Sequence, residues 1–156
     1  YPYTPAVGLI AGLAHSIELL EDEGLENVYA RHHRLAEGVR RAIFAWGMAP
    51  YAASADLYSD TVTAVKVPEG CNGTDLVQLA ASKYGMAFGV GLGEVAGKVF
   101  RIGHLGMLTD AMVLSGLAVA EMCMADLGWP VRLGSGVAAA QEYYRGTSMA
   151  MALAAE

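Results

Sequence analysis

Among the residues of this chain whose types could do chemistry, Arg101 stands in the most telling place. It belongs to the run Val99-Phe100-Arg101-Ile102, in which strand alternation puts Phe100 and Ile102 on one face and Arg101 on the other. The bulky apolar pair meets the helices of the domain, and the arginine projects from the opposite face of the sheet. A guanidinium there is permanently charged and grips a carboxylate through two parallel hydrogen bonds. Two readings stand at this point: an ordinary surface ion pair with Asp or Glu, and a carboxylate-binding group. Tyr1 and Thr4 place hydroxyls near the start of a helix, where free amides and the helix dipole favour phosphate. Plain helix capping by Thr4 is the alternative.

Other constellations carry less. Gly91-Leu92-Gly93-Glu94-Val95-Ala96 fits G-x-G-x-x-A, but a dinucleotide loop needs a helix to open there. The residues that follow, Lys98 to His104, read as a strand, so a hairpin connection is the better account. His32 and His33 are neighbours that point about 100° apart on a helix; His15 stands alone, and no carboxylate or cysteine completes a metal site with any of them. His104 reads as a hydrogen-bonded residue at a strand end. Cys71 and Cys123 are far apart and read as reduced or buried thiols, compatible with a cytosolic compartment. No Ser-His-Asp or Cys-His arrangement points to a nucleophile.

The elements that position these residues follow from local pattern. Thr4-Pro5 predicts a helix start and Gly24 its stop, with the helix running to about Glu23. Leu25 to about Trp46 predicts a second helix, closed by Gly47. Met48 to Asp60 reads as irregular, with one short strand at most; Thr61 to Val67 is β-rich and ends in the turn Pro68-Glu69-Gly70. Helix over Thr74 to Tyr84, strand over Met86 to Val90 and strand over Lys98 to His104 come next. Thr109 caps a helix to about Leu127, apolar on most sides and therefore expected to be deeply buried. Trp129-Pro130 breaks it, Val137 to Tyr144 is a last short helix, and the tail from Gly146 is loose. Grouped helices with a few strands and no regular alternation predict α+β: a small, largely antiparallel sheet with helices packed on one face.

The chain has 156 residues, 54% apolar and 17% charged, with a net charge of -6. That suits one folded domain of ordinary size. The acidic balance argues against non-specific nucleic-acid binding and against docking on anionic lipid. The most apolar stretch, Ala111 to Ala120, is about half of what spans a bilayer. The first residue is Tyr1, and upstream sequence is expected.

Several ordered segments resemble the class V aminotransferases that act on glyoxylate. They are Tyr1-Pro2-Tyr3-Thr4-Pro5, Glu23-Gly24-Leu25-Glu26-Asn27-Val28, Arg31-His32-His33-Arg34-Leu35-Ala36, Thr61-Val62-Thr63-Ala64-Val65 and Gly89-Val90-Gly91-Leu92-Gly93. Most specific is Gly97-Lys98-Val99-Phe100-Arg101-Ile102-Gly103-His104-Leu105-Gly106, and Val131 to Ala140 resembles the extension of the serine–glyoxylate branch. The resemblance implies the C-terminal small domain of a pyridoxal-phosphate enzyme of fold type I, assigned to α/β by some schemes. Residues 1–24 would be a linking helix from the large domain, 25–130 the small domain, and 131–156 an extension and tail. It implies amino transfer to glyoxylate, giving glycine, with serine as donor and aspartate or alanine as alternatives. Arg101 matches the arginine that binds substrate α-carboxylates; Tyr1 and Thr4 match residues that reach the cofactor phosphate of the neighbouring subunit in a homodimer. The Schiff-base lysine is expected upstream, since Lys66, Lys83 and Lys98 fall where the family has no such role; no catalytic residue lies in this chain, which is expected to be silent by itself. A stand-alone binding or dimerisation module is the reading from another class. A desulfurase or lyase is a third, but Cys71 follows the Pro68-Glu69-Gly70 turn and Cys123 lies in an apolar helix, so neither resembles a mobile catalytic cysteine.

Overall fold

The computed structural model describes residues 3–147, in two compact units, residues 3–31 and residues 32–147. The first holds helix α1 (Val7–Glu23) and the opening turns of α2 (Leu25–Ala45). α1 ends as the sequence predicts, at Gly24 in a positive-φ conformation. Its start differs. Thr4 does not cap it: Ala6 adopts φ -77°, ψ 69°, and the Val7 amide bonds the Pro5 carbonyl at 2.9 Å. That is an inverse γ-turn, which takes Ala6 out of the helical region and delays the helix to Val7. No residue of α1 is buried among the described residues. Arg31 grips Glu23 through Nε–Oε1 at 2.6 Å and Nη2–Oε2 at 2.8 Å, bracing the turn between the two helices.

The second unit is a four-stranded antiparallel sheet in the order β1-β2-β4-β3, formed by β1 (Ala49–Pro50), β2 (Val62–Lys66), β3 (Gly89–Val90) and β4 (Val99–Gly103). Helices α2, α3 (Gly73–Tyr84), α4 (Asp110–Asp126) and α5 (Ser135–Gly146) complete it. Side chains from β2 and β4 on one sheet face, Val65, Phe100 and Ile102, join Leu35, Val39 and Ile43 of α2, Leu76 of α3 and Leu117 of α4 in one core. This is the predicted α+β arrangement. Strand β3 is shorter than predicted. The Met86 amide returns to the Ala80 carbonyl of α3, and Phe88 packs edge-on to Phe100 at 6.2 Å, so residues 86–88 serve the helix and the core rather than the ladder.

α4 is capped as expected, with Thr109 Oγ1 accepting from the Met112 amide. It is less buried than its composition predicts. Packing against α3 and α5 covers Val113, Leu117, Ala120, Cys123 and Met124, while Met112 and Met122 on its remaining side stay exposed.

α5 is bound into the domain by one buried carboxylate. Glu121 Oε1 accepts from the Trp46 indole at 2.8 Å and from the amides of Gly136 at 2.7 Å and Val137 at 3.2 Å, and Oε2 accepts from the Gly134 amide. α5 has no side-chain N-cap of its own; Glu121 supplies one from α4 and meets the helix dipole with negative charge. A Cβ at Gly136 would come within 2.3 Å of Trp46 Nε1, so only glycine lets the two approach. At the other end of α5 the Arg34 fork holds Asp110, its Nη2 donates to the Tyr144 carbonyl at 3.0 Å, and the Tyr144 hydroxyl donates to Leu35 O at 2.8 Å. Replacing Glu121 with Ala leaves buried donors unmet and should lower unfolding free energy by about 3 kcal/mol. Urea denaturation measures this, and a loss below about 1 kcal/mol would mean that water replaces the carboxylate.

Candidate functional site

β4 divides its side chains between the two faces of the sheet. Phe100 and Ile102 are buried on the helix face, and Arg101 between them is half-buried on the open face. The register sets Ala64 of β2 and Gly89 of β3 on either side of Arg101. Its side chain lies across Gly89: a Cβ there would meet Arg101 Nε at 2.9 Å and its Cβ at 3.1 Å. Nε donates to the Val90 carbonyl at 3.1 Å, which turns the guanidinium and leaves both Nη groups for another partner. Among the described residues no carboxylate pairs with Arg101. The geometry is a braced fork that can take a carboxylate through its two Nη groups.

The role of Gly89 was not assigned from the sequence, because it depends on which residue of β4 lies opposite it. Alternation within one strand shows where Arg101 points; only the register shows what it lies across.

The end of β4 is fixed by a histidine network. His104 is buried, with Nδ1 donating to the Asp60 carbonyl at 3.0 Å and Nε2 accepting from the Thr63 hydroxyl at 2.9 Å. A carbonyl can only accept, so the proton sits on Nδ1. Burial lowers the His104 pKa to about 4, outweighing the raising effect of the Asp60 carbonyl. The Asp60 side chain is itself held by His33 at 3.0 Å and by both Nη groups of Arg40. Burial pushes the Asp60 carboxyl up, but those bonds more than offset it and leave it below the usual range. His32 Nε2 accepts from the Gly106 amide at 3.0 Å, tying α2 to the loop after β4. These histidines act as structural joints.

No protein-family model matches the chain. Over 150 residues it is 65% identical to the L-aspartate–glyoxylate aminotransferase of Paracoccus denitrificans, covering 96% of this chain and 38% of that protein. Against the serine–glyoxylate aminotransferase of Hyphomicrobium methylovorum it is 52% identical over 144 residues, covering 92% and 36%. The crystal structure of pyridoxamine–pyruvate aminotransferase from Mesorhizobium loti matches with a TM-score of 0.87 at 35% identity, covering 94% of this chain and 38% of that one. The chain belongs to the class V aminotransferases. It spans little more than a third of the length of these relatives, and the fold it shares with them is that of their C-terminal domain.

In this aminotransferase chain Thr4 lies in the first unit, exposed and free of hydrogen bonds among the described residues, and Arg101 lies in the second. Tyr1 falls outside the described residues. Gly91 to Gly97 connects antiparallel β3 and β4 through a single 3₁₀ turn, with no helix to receive a pyrophosphate. Burial raises the thiol pKa of both Cys71 and Cys123, the reverse of what a nucleophile needs. No helix among the described residues is long and apolar enough to cross a membrane.

The His104 joint makes the aminotransferase domain acid-sensitive. Between pH 6.5 and about 4 the unfolded chain takes up a proton at this residue that the folded chain refuses. Stability should therefore fall by about 3 kcal/mol as pH drops through that window. In His104→Asn, unfolding free energy measured against pH should slope less there than in the wild type. An equal slope would show that His104 is charged in the folded protein.

Proposed function

We propose that the whole protein carrying this chain is a pyridoxal-phosphate enzyme that transfers an amino group to glyoxylate, forming glycine. The observation that carries this is Arg101, whose fork is braced over Gly89 and has no carboxylate partner among the described residues. A 2-oxo acid and an α-amino acid share one group, the carboxylate beside the reacting carbon, and a bidentate guanidinium fixes both in the same pose. Holding that carboxylate decides which bond at the α-carbon stands ready to break.

Pyridoxal phosphate, when bound, supplies the electron sink for that bond. The residues of this chain fit a share of its site. The hydroxyls of Tyr1 and Thr4 suit its phosphate, and the exposed, unengaged Thr4 is open to such a contact. They do not supply its lysine. Lys83 is engaged with Asp126 at 2.7 Å, and Lys66 and Lys98 are exposed at strand ends. Residues 1–24 are read as the link from the large domain, 25–130 as the small domain and 131–156 as the extension, with a cytoplasmic homodimer as the working form and Tyr1 and Thr4 serving the partner's cofactor.

Serine is the donor expected from the likeness of residues 131–140 to the serine–glyoxylate branch, and aspartate stands beside it. The extension contributes Ala140 and Tyr144 to the core, so it is a packing element and does not itself read a donor side chain. Arg101→Lys keeps the charge but loses the fork. In the whole protein this change should lower kcat/KM for every donor by about a hundredfold, equal to about 3 kcal/mol of transition-state binding. Steady-state assays with glyoxylate and serine, aspartate or alanine measure it; wild-type efficiency in the variant would remove Arg101 from the site.

A further inference from the structure

Gly89 is a glycine for which its own strand gives no reason. It is not among the residues with positive φ, so alanine suits its backbone. It sits in β3, the two-residue edge strand of the sheet, where glycine weakens pairing and packs nothing. Other glycines outside the positive-φ set make room for the fold itself: Gly73 for the Val99 backbone, Gly91 for the Val95 carbonyl and Gly136 for Trp46. At Gly89 the three atoms nearest to an added Cβ all belong to Arg101: Nε at 2.9 Å, Cβ at 3.1 Å and Cζ at 3.3 Å. A residue that breaks the local rule of its element marks a demand made from elsewhere, and here the demand comes from Arg101.

Two contacts fix the guanidinium. Gly89 is the floor beneath it, and the Val90 carbonyl accepts from Nε at 3.1 Å. Val90 lies opposite Phe100 and packs its side chain against the core, so that carbonyl is anchored from the helix face. With Nε engaged, the two Nη groups keep one direction. A methyl group at position 89 removes the floor. The Arg101 Cβ is held by the ladder with β2, and the 3.1 Å approach there asks only a few tenths of an ångström of the short edge strand. Nε and Cζ belong to the flexible part of the side chain, and they are what must swing away. The swing breaks the bond to Val90 and turns the Nη pair. The charge stays and the aim is lost.

We infer that Gly89 is a positioning residue for the substrate carboxylate: its missing side chain is the seat that keeps the Arg101 fork aimed. The inference rests on the role proposed for Arg101 above and adds the residue that sets its direction. Gly89 offers no group to a substrate and acts through Arg101. Amino donors and 2-oxo acceptors present the same carboxylate, so the effect is common to all of them. Stability moves the other way, because alanine removes the conformational cost of glycine in a strand while it spoils the aim.

The test uses the whole protein with cofactor, as wild type, Gly89→Ala, Arg101→Ala and the double variant. Propionate is titrated by calorimetry, kcat and KM are measured with glyoxylate and either serine or alanine, and urea midpoints are recorded. Gly89→Ala should bind propionate about tenfold more weakly and lose about tenfold in kcat/KM with both donors, since the fork keeps its charge but not its pose. Its urea midpoint should equal or exceed that of the wild type, which a glycine needed only for folding would not show. In the Arg101→Ala background the same substitution should change neither binding nor kcat/KM, as expected of a residue that acts through Arg101. Undiminished propionate binding in Gly89→Ala, a lowered urea midpoint, or an equal loss in both backgrounds overturns the inference. If Arg101→Ala alone binds propionate as the wild type does, the role proposed for Arg101 falls and the inference falls with it. If Gly89→Ala weakens propionate binding but the wild type aminates glyoxylate from neither donor, the positioning role stands and the glyoxylate reading falls.

Discussion

The two-residue period of β4 is the constraint on which the rest of this domain depends. A strand laid on a helical layer has one face to fill with apolar bulk and one face left over. Phe100 and Ile102 answer the first demand so completely that β4 cannot slip by one residue without exchanging them for Arg101. The core thereby aims the guanidinium. What holds Arg101 on the open face is the burial of its two neighbours, which no local bond of its own would match.

Around that strand the domain spends its buried polar groups on joints. Glu121 ties α4 to α5 and Trp46, Arg34 ties α2 to the start of α4 and the end of α5, and His104 ties β4 to Thr63 and Asp60. Each is hydrogen-bonded, and no buried side-chain polar atom lacks a partner among the described residues. Satisfied polar groups in a core fix one arrangement. The same chain leaves Arg101 half-satisfied on the open face, where an unused fork costs little because water solvates it. Joints face inward, and Arg101 lies on the open face of the sheet.

Much of this was legible in the sequence, for physical reasons that differ from element to element. α2, α3 and β2 were legible because their apolar spacing and glycine stops agree, and local signal and tertiary demand coincide. β4 was legible because alternation needs only the strand itself. The start of α1 was misread because Thr4-Pro5 offers a cap and the chain forms a γ-turn at Ala6 instead. The reach of β3 was misread because Phe88 is a β-former spent on the core and the Met86 amide returns to α3. The full burial of α4 was over-read from composition, which cannot tell which side its neighbours will cover. Glu121 and Gly89 share a deeper reason for being silent in sequence: each matters through a residue distant in the chain, and the register or helix contact that makes the pair exists only in the fold. The family resemblance implied roles for Arg101, Tyr1 and Thr4, and the family itself is shown by relatives at 65% and 52% identity.

Arg101 is proposed to meet a carboxylate that comes from outside the chain. A crystal structure of the whole protein with its cofactor and a bound 2-oxo acid tests it most directly. The expected result is a substrate carboxylate against both Nη groups at about 2.8 Å, with Nε still on the Val90 carbonyl and the side chain still lying across Gly89. A substrate carboxylate held elsewhere, with Arg101 paired to an Asp or Glu of the protein, would contradict it.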